Sequence, residues 1–128
     1  MHPHMRIARP TSDLILAARM YQVGLGLELL GSFQNHEGFD GVMLGHLGCP
    51  YHLEFTSCRG HLVAPSPTEE DLIVFFYPDP REWGDVCRQM TSAGFKPTAN
   101  SNPYWEANGK TFADLDGYRV VIQNAAWE

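Results

Sequence analysis

Apolar side chains at Leu14, Ala17, Ala18 and Tyr21 follow the i, i+3, i+4, i+7 spacing of an amphipathic helix. Thr11-Ser12-Asp13 supplies capping side chains ahead of them. Gly24 and Gly26 follow the last periodic turn, where glycine takes up a left-handed C-cap most readily. The pattern predicts a helix from Ser12 to Val23, preceded by a short strand from Met5 to Arg9. The same spacing returns at Trp83, Val86, Cys87 and Met90. Asp79 as N-cap, Pro80 at the first helical position and Glu82 three residues past the cap open this second helix, and Gly94 closes it. The apolar run Leu72 to Tyr77 before it has the length of a strand.

Strand-like segments follow each helix: Leu27 to Gln34, Phe39 to His46 and Tyr51 to Cys58 after the first, Thr111 to Asp114 and Tyr118 to Asn124 after the second. Asp116-Gly117 predicts a two-residue hairpin turn with positive φ, and Gly48-Cys49-Pro50 holds the equivalent place in the first half. Asp13 aligns with Asp79, Gly26 with Gly94, and Tyr51 to Phe55 with Tyr118 to Ile122, at a nearly constant offset. The chain is therefore read as an α+β domain over 1–128, made of two tandem strand-helix-strand-strand-strand (βαβββ) modules. They run from about 5 to 60 and 71 to 125, with a proline-rich, acidic linker at about 61–70.

One apolar stripe per helix means that each helix covers one face of its sheet and leaves the other free to curve around a pocket. Strand alternation sorts the side chains. With Leu53, Phe55, Val120 and Ile122 against the helices, His52, Glu54, Thr56, Arg119, Val121 and Gln123 point to the free face.

Composition narrows the possible functions. An apolar share of 44% and a charged share of 19% fit a globular domain. The formal charge of -6, without a Lys/Arg cluster, argues against nucleic acid and anionic membranes as partners. No apolar run reaches the roughly 20 residues of a transmembrane helix, and Met1 to Arg6 lacks the apolar segment of a signal peptide, so the expected location is the cytoplasm. Cys49, Cys58 and Cys87 are not spaced as a Cys-x-x-Cys site and read as reduced thiols. A Ser-His-Asp order, a nucleophile elbow and a phosphate loop are lacking. Gly24-Leu25-Gly26 follows a helix rather than a strand, against a dinucleotide fingerprint.

Ser12-Asp13-Leu14 opening a helix, Met20-Tyr21 near its end and Leu25-Gly26-Leu27-Glu28 after it resemble the first module of the vicinal oxygen chelate superfamily, which includes glyoxalase I and bleomycin-resistance proteins. Leu53-Glu54-Phe55-Thr56 resembles the strand that carries a metal-binding glutamate there. Phe112 to Tyr118 resembles the closing hairpin, and the likeness runs from about Arg6 to Asn124. The resemblance implies the fold. It leaves the chemistry open, because the superfamily includes lyases, isomerases, dioxygenases, thiol transferases and sequestering proteins.

In metal-using members four inward positions supply His and Glu ligands, and here they fall on Arg6, Glu54, Leu72 and Val121. A guanidinium and two aliphatic groups offer a cation nothing, and one carboxylate does not hold a catalytic ion. The expectation is no metal and no cofactor. His46 and His52 remain candidates for an unconventional site.

The leading expectation is thus a metal-independent small-molecule-binding protein that sequesters a toxic or antibiotic ligand. Its expected binding residues are Arg6, Phe33, His52, Glu54, Tyr104, Trp105, Arg119, Val121 and Gln123. The alternative is a lyase, isomerase or dioxygenase-like enzyme on a carbonyl or thiol-conjugated substrate, with Glu54 as general base. Pairing of two chains is common in the superfamily, so the resemblance implies a homodimer. Asn100 to Glu106 reads as a loop whose Tyr104 and Trp105 wall the pocket.

Overall fold

The computed structural model describes residues 2–60, 62 and 64–128; His61 and Val63, at the start of the expected linker, lie outside the described residues. The first module runs β1 (Met5–Pro10), α1 (Leu14–Leu25), β2 (Glu28–His36), β3 (Phe39–Gly45) and β4 (Tyr51–Cys58). The second runs β5 (Leu72–Phe76), α2 (Pro80–Ser92), β6 (Lys96–Thr98), α3 (Pro103–Ala107), β7 (Gly109–Ala113) and β8 (Arg119–Gln123). Each module makes a four-stranded mixed sheet, in orders β1-β4-β3-β2 and β5-β8-β7-β6. β1 lies parallel to β4 and β5 parallel to β8, and the remaining pairs are antiparallel. The two tandem modules of an α+β fold are thus present, each with a sheet of its own.

The repeat is visible in the helix caps. Asp13 accepts the Leu16 N–H and Asp79 accepts the Arg81 N–H, so each helix starts on an aspartate that satisfies an otherwise unpaired amide. Gly26 closes α1 at φ 69°. Gly24, expected beyond the helix, lies within it: a Cβ there would sit 2.9 Å from the Phe95 ring and 3.0 Å from Met90 Sδ. The missing side chain lets α1 approach the second module.

That approach joins the helix-covered faces of both modules into one core. Ala17, Met20, Tyr21, Leu53, Phe55, Val86, Met90, Phe112, Val120 and Ile122 are all buried in it. The Tyr21 ring lies 4.8 Å from that of Phe55 and edge-on to Phe95 at 5.1 Å. Its hydroxyl donates to Asp114 in the second module at 2.8 Å. The Arg9 guanidinium stacks over Tyr118 at 4.4 Å, and Thr11 donates to Asp116 at 2.6 Å. The opposite faces of the two sheets, where the free side chains stand, are therefore turned away from this shared core.

Two local expectations are corrected. The Asp116-Gly117 turn is part of a five-residue connection, 114–118, between β7 and β8, in which Gly117 has φ 91° and Asp116 is not among the positive-φ residues. The Asp114 amide donates to the Tyr118 carbonyl at 2.8 Å, while the Asp114 carboxylate accepts the Asp116 and Tyr118 amides at 2.9 and 3.0 Å. The longer loop is what lets one aspartate take both. The loop expected at Asn100 to Glu106 contains α3: Asn102 caps it, accepting the Tyr104 N–H, and Pro103 occupies the first helical position, which costs no hydrogen bond. No helix among the described residues is long and apolar enough to cross a membrane.

Candidate functional site

Directly paired residues share a face of a sheet. The pairings Arg6↔His52, Ala8↔Glu54, Met43↔Glu54, Gly31↔Met43 and Phe33↔Gly41 therefore put Arg6, Ala8, Phe33, Met43, His52 and Glu54 on the free face of the first sheet. A Cβ on Gly31 would lie 3.0 Å from Met43 Cε, one on Gly41 would run into the Phe33 ring, and one on Gly45 would lie 3.1 Å from His52 Cβ. These three glycines let Met43, Phe33 and His52 lie low against the strands. The result is a shallow apolar floor with a charged corner at the β1–β4 end.

The corner is organised around Arg6. Arg6 Nη1 pairs with Glu54 Oε2 at 3.1 Å, and Arg6 Nε donates to His52 Nε2 at 2.8 Å. His52 Nδ1 in turn lies 2.6 Å from His4 Nε2. Glu54 is 9% exposed and the Arg6 side chain 50% exposed, so the carboxylate lies beneath the guanidinium. Burial, then the charge of Arg6 and the adjacent His4, pull the His52 imidazole below its ordinary value against the opposite influence of Glu54. Two neighbours fix the guanidinium in place, and no hydrogen bond among the described residues occupies Nη2.

The second sheet is different. Val121 is fully buried and Gln123 is 2% exposed, so neither lines an open hollow within this chain, as alternation alone suggested. The segment carrying α3 folds across that face. Asn100 Nδ2 donates to Thr111 Oγ1 at 3.1 Å, and a Cβ on Gly109 would stand 2.8 Å from the Trp105 carbonyl and collide with the Gln123 amide. Tyr104, 62% exposed, stacks edge-on with half-buried Trp105 at 4.7 Å. Arg119 donates to the Ala99 carbonyl at 3.0 Å and pairs with Glu69 at 3.2 Å. The structure thus brings Arg6, His52, Glu54 and Phe33 to one face, and places Tyr104, Trp105, Arg119, Val121 and Gln123 on the other sheet.

Sequence reasoning missed Met43 and the part played by His4. The signal for His4 was its place two residues before Arg6, which puts both on one face of an extended chain. The signal for the floor was the spacing of Gly41 and Gly45 within one strand.

The positions that hold a metal in the superfamily do not fit one here. Glu54 already carries Arg6, whose charge opposes a cation, and Leu72 and Val121 are aliphatic. His46 lies 3.6 Å from Glu28, and no group of three or more His, Cys, Asp or Glu suited to a metal occurs among the described residues.

Family models described as YycE-like N-terminal domain and YycE-like C-terminal domain match residues 5–56 and 70–124. Over 121 residues the chain is 40% identical to the uncharacterized protein YycE of Bacillus subtilis (strain 168), covering 94% of this chain and 87% of that protein. This chain belongs to the YycE-like family. The crystal structure of a family member from Bacillus subtilis, a YycE protein of unknown function, superposes at TM-score 0.90 with 39% identity, over 98% of this chain and 91% of that one. Glyoxalase I of Leishmania major superposes at TM-score 0.73 with 18% identity, over 98% and 88% of the two chains. The fosfomycin resistance protein FosX of Mesorhizobium loti does so at 0.69 with 12% identity, over 99% and 93%. At these identities the last two show the fold alone, which is that of the vicinal oxygen chelate superfamily.

Proposed function

We propose that this chain is a metal-independent binding protein for a small molecule bearing an anionic or carbonyl oxygen, received on the free face of the first sheet. The observation that supports this reading is the held Arg6. Its Nε and Nη1 are taken by His52 and Glu54, so its remaining edge is a pre-oriented donor whose side-chain freedom has largely been lost before any ligand arrives. The apolar floor of Ala8, Phe33 and Met43 supplies the contact area that such a ligand needs. Sequestration of a toxic or antibiotic molecule is the role that agrees with a site built of donors and apolar surface.

In the same proposal the working unit is a homodimer. The free faces of the two sheets point away from the shared core of one chain. A second copy would set its own second sheet, with Tyr104, Trp105 and Arg119, opposite the Arg6 face and close the cup.

The enzyme alternative retains one foothold, since Glu54 meets Arg6 at Oε2 and no hydrogen bond among the described residues engages its Oε1. A general base would need that oxygen within reach of a substrate proton. A thermal-shift screen of metabolites and antibiotics in excess chelator, followed by mass analysis of each stabilising compound after prolonged incubation, separates the readings. Recovery of unaltered compound supports binding, and a converted product supports the enzyme. Stabilisation only when a divalent ion is restored would refute the metal-independent proposal.

A further inference from the structure

The polarity of the hydrogen bonds around Arg6 fixes more than the arginine. A guanidinium is a donor only and stays protonated, so the 2.8 Å contact of Arg6 Nε with His52 Nε2 requires a lone pair on that nitrogen. A histidine with a lone pair on Nε2 is neutral and carries its proton on Nδ1. His52 Nδ1 then donates across the 2.6 Å contact to His4 Nε2, which must also be unprotonated, leaving His4 with its proton on Nδ1. The direction of every bond follows from one permanent donor. The ring centroids of His4 and His52 lie 4.8 Å apart at an interplanar angle of 31°.

We infer that His4 and His52 are positioning residues for Arg6: a relay of two neutral, Nδ1-protonated imidazoles that holds the guanidinium at the ligand-binding corner and releases it when His52 takes up a second proton. The relay rests on the proposed role of Arg6 for its functional meaning, but its existence can be tested without any ligand. The charged or titratable groups facing His52 are His4 and Arg6 from the first strand and its approach, and Glu54 from His52's own strand. Protonated His52 would present a donor on each nitrogen, one toward the donor Arg6 Nε. The bond between them would be lost and two positive charges would face each other. The lowered affinity of His52 for a proton agrees with this, because burial, Arg6 and His4 all favour its neutral form. Neutral His52 is therefore present above the ordinary histidine value near 6.5, and the relay is lost as pH falls through the lowered folded value.

The test is nitrogen-15 NMR of the imidazoles and of the Arg6 Nε–H in the full chain, titrated from pH 8 to pH 4.5. The expected result has His52 Nε2 in the unprotonated, pyridine-like shift range at pH 7.5 and Nδ1 protonated. The Arg6 Nε–H should exchange slowly and lose that protection at the midpoint of His52 titration. Arg6→Met, which removes the donor, should return His52 to a predominantly Nε2-protonated form and move its midpoint upward. His4→Ala should leave Arg6 bound but weaken the Nδ1 preference. His52 protonated on Nε2 in the unsubstituted protein, or an Arg6 Nε–H whose exchange ignores His52 titration, would overturn the relay. Neither result would bear on whether Arg6 receives a ligand, which the screen above decides.

Discussion

The hydroxyl of Tyr21 donates to the carboxylate of Asp114 at 2.8 Å, and through this bond the first helix of one module is fastened to the closing loop of the other. Both groups are buried: Tyr21 is fully so and Asp114 is 7% exposed. Asp114 also accepts two backbone amides of its own loop, so one carboxylate shapes the hairpin and locks the modules together. Burial raises the Tyr21 hydroxyl well above its usual range, with the neighbouring Asp114 charge acting in the same direction, which keeps it a donor at any ordinary pH. Tyr21→Phe is expected to cost about 1–3 kcal/mol by leaving a buried acceptor short of a partner, measured as a lower midpoint in urea unfolding.

The same carboxylate gives a pH dependence. Burial is the largest influence on Asp114 and raises it, outweighing the Tyr21 and backbone hydrogen bonds that lower it. A carboxyl whose folded value stands above its unfolded one binds a proton more readily when folded. Its contribution to stability is complete below the unfolded value, near 3.9, and is lost as pH rises through the folded one. Asp114→Asn removes the titration and keeps one acceptor oxygen for the Asp116 and Tyr118 amides, while its Nδ2 can only donate to the Tyr21 hydroxyl oxygen. Relative to this variant, the unsubstituted protein should lose stability as pH rises from about 4, read from unfolding curves at several pH values. A difference that stays flat across that range would show that Asp114 ionises in the folded chain as it does in the unfolded one.

Gly24 provides a second check on how the modules meet. Its Cα hydrogen faces Phe95 and Met90 of the second module at distances that a methyl group would violate. In an exposed helix the change to alanine stabilises by about 1 kcal/mol. Here Gly24→Val should instead destabilise by about 1–3 kcal/mol through overpacking, seen as a lower melting temperature. Unchanged or increased stability would mean that the two modules are free to move apart.

Much of this was legible in the residues, and what was not has physical reasons. Asp13 and Asp79 announced both helices, because a cap acts over three or four residues and needs no distant partner. Leu53, Phe55, Val120 and Ile122 were placed against the helices by alternation, and all four are buried there. Alternation put Glu54 on the free face and the superfamily resemblance put Arg6 there with it, where the structure joins them. What it could not reveal was the fate of the second free face, since covering Val121 and Gln123 depends on α3 folding back across the sheet. Asn102-Pro103 was a usable start signal for that helix, hidden within a stretch whose Asn, Ser and Pro content suggested a loop. β6, three residues long with a proline at its centre, falls below the length at which alternation is detectable. The nearness of α1 to α2 likewise rests on Gly24, which by its place near the end of the periodic pattern looked like a terminator.

The proposed homodimer is open to a direct test. Sedimentation equilibrium at micromolar concentration should give a species of twice the 14.4 kDa chain mass. Tyr104→Glu, which places a charge on a 62% exposed ring at the proposed contact, should shift it toward monomer by at least tenfold in dissociation constant. A monomer at all concentrations would remove the second copy from the site and leave the first sheet's face open.

The central claim is that ligand binding at Arg6 needs no metal, and calorimetric titration of the strongest compound from the screen tests it most directly. The titration is made in excess chelator with the unsubstituted protein and with Arg6→Met. The account predicts an affinity indifferent to the chelator and weakened tenfold or more by the substitution, the scale of one charge-assisted hydrogen bond of about 1.5–3 kcal/mol. Binding that disappears with the chelator and returns with one divalent ion per chain, or binding that Arg6→Met leaves unaltered, would contradict it.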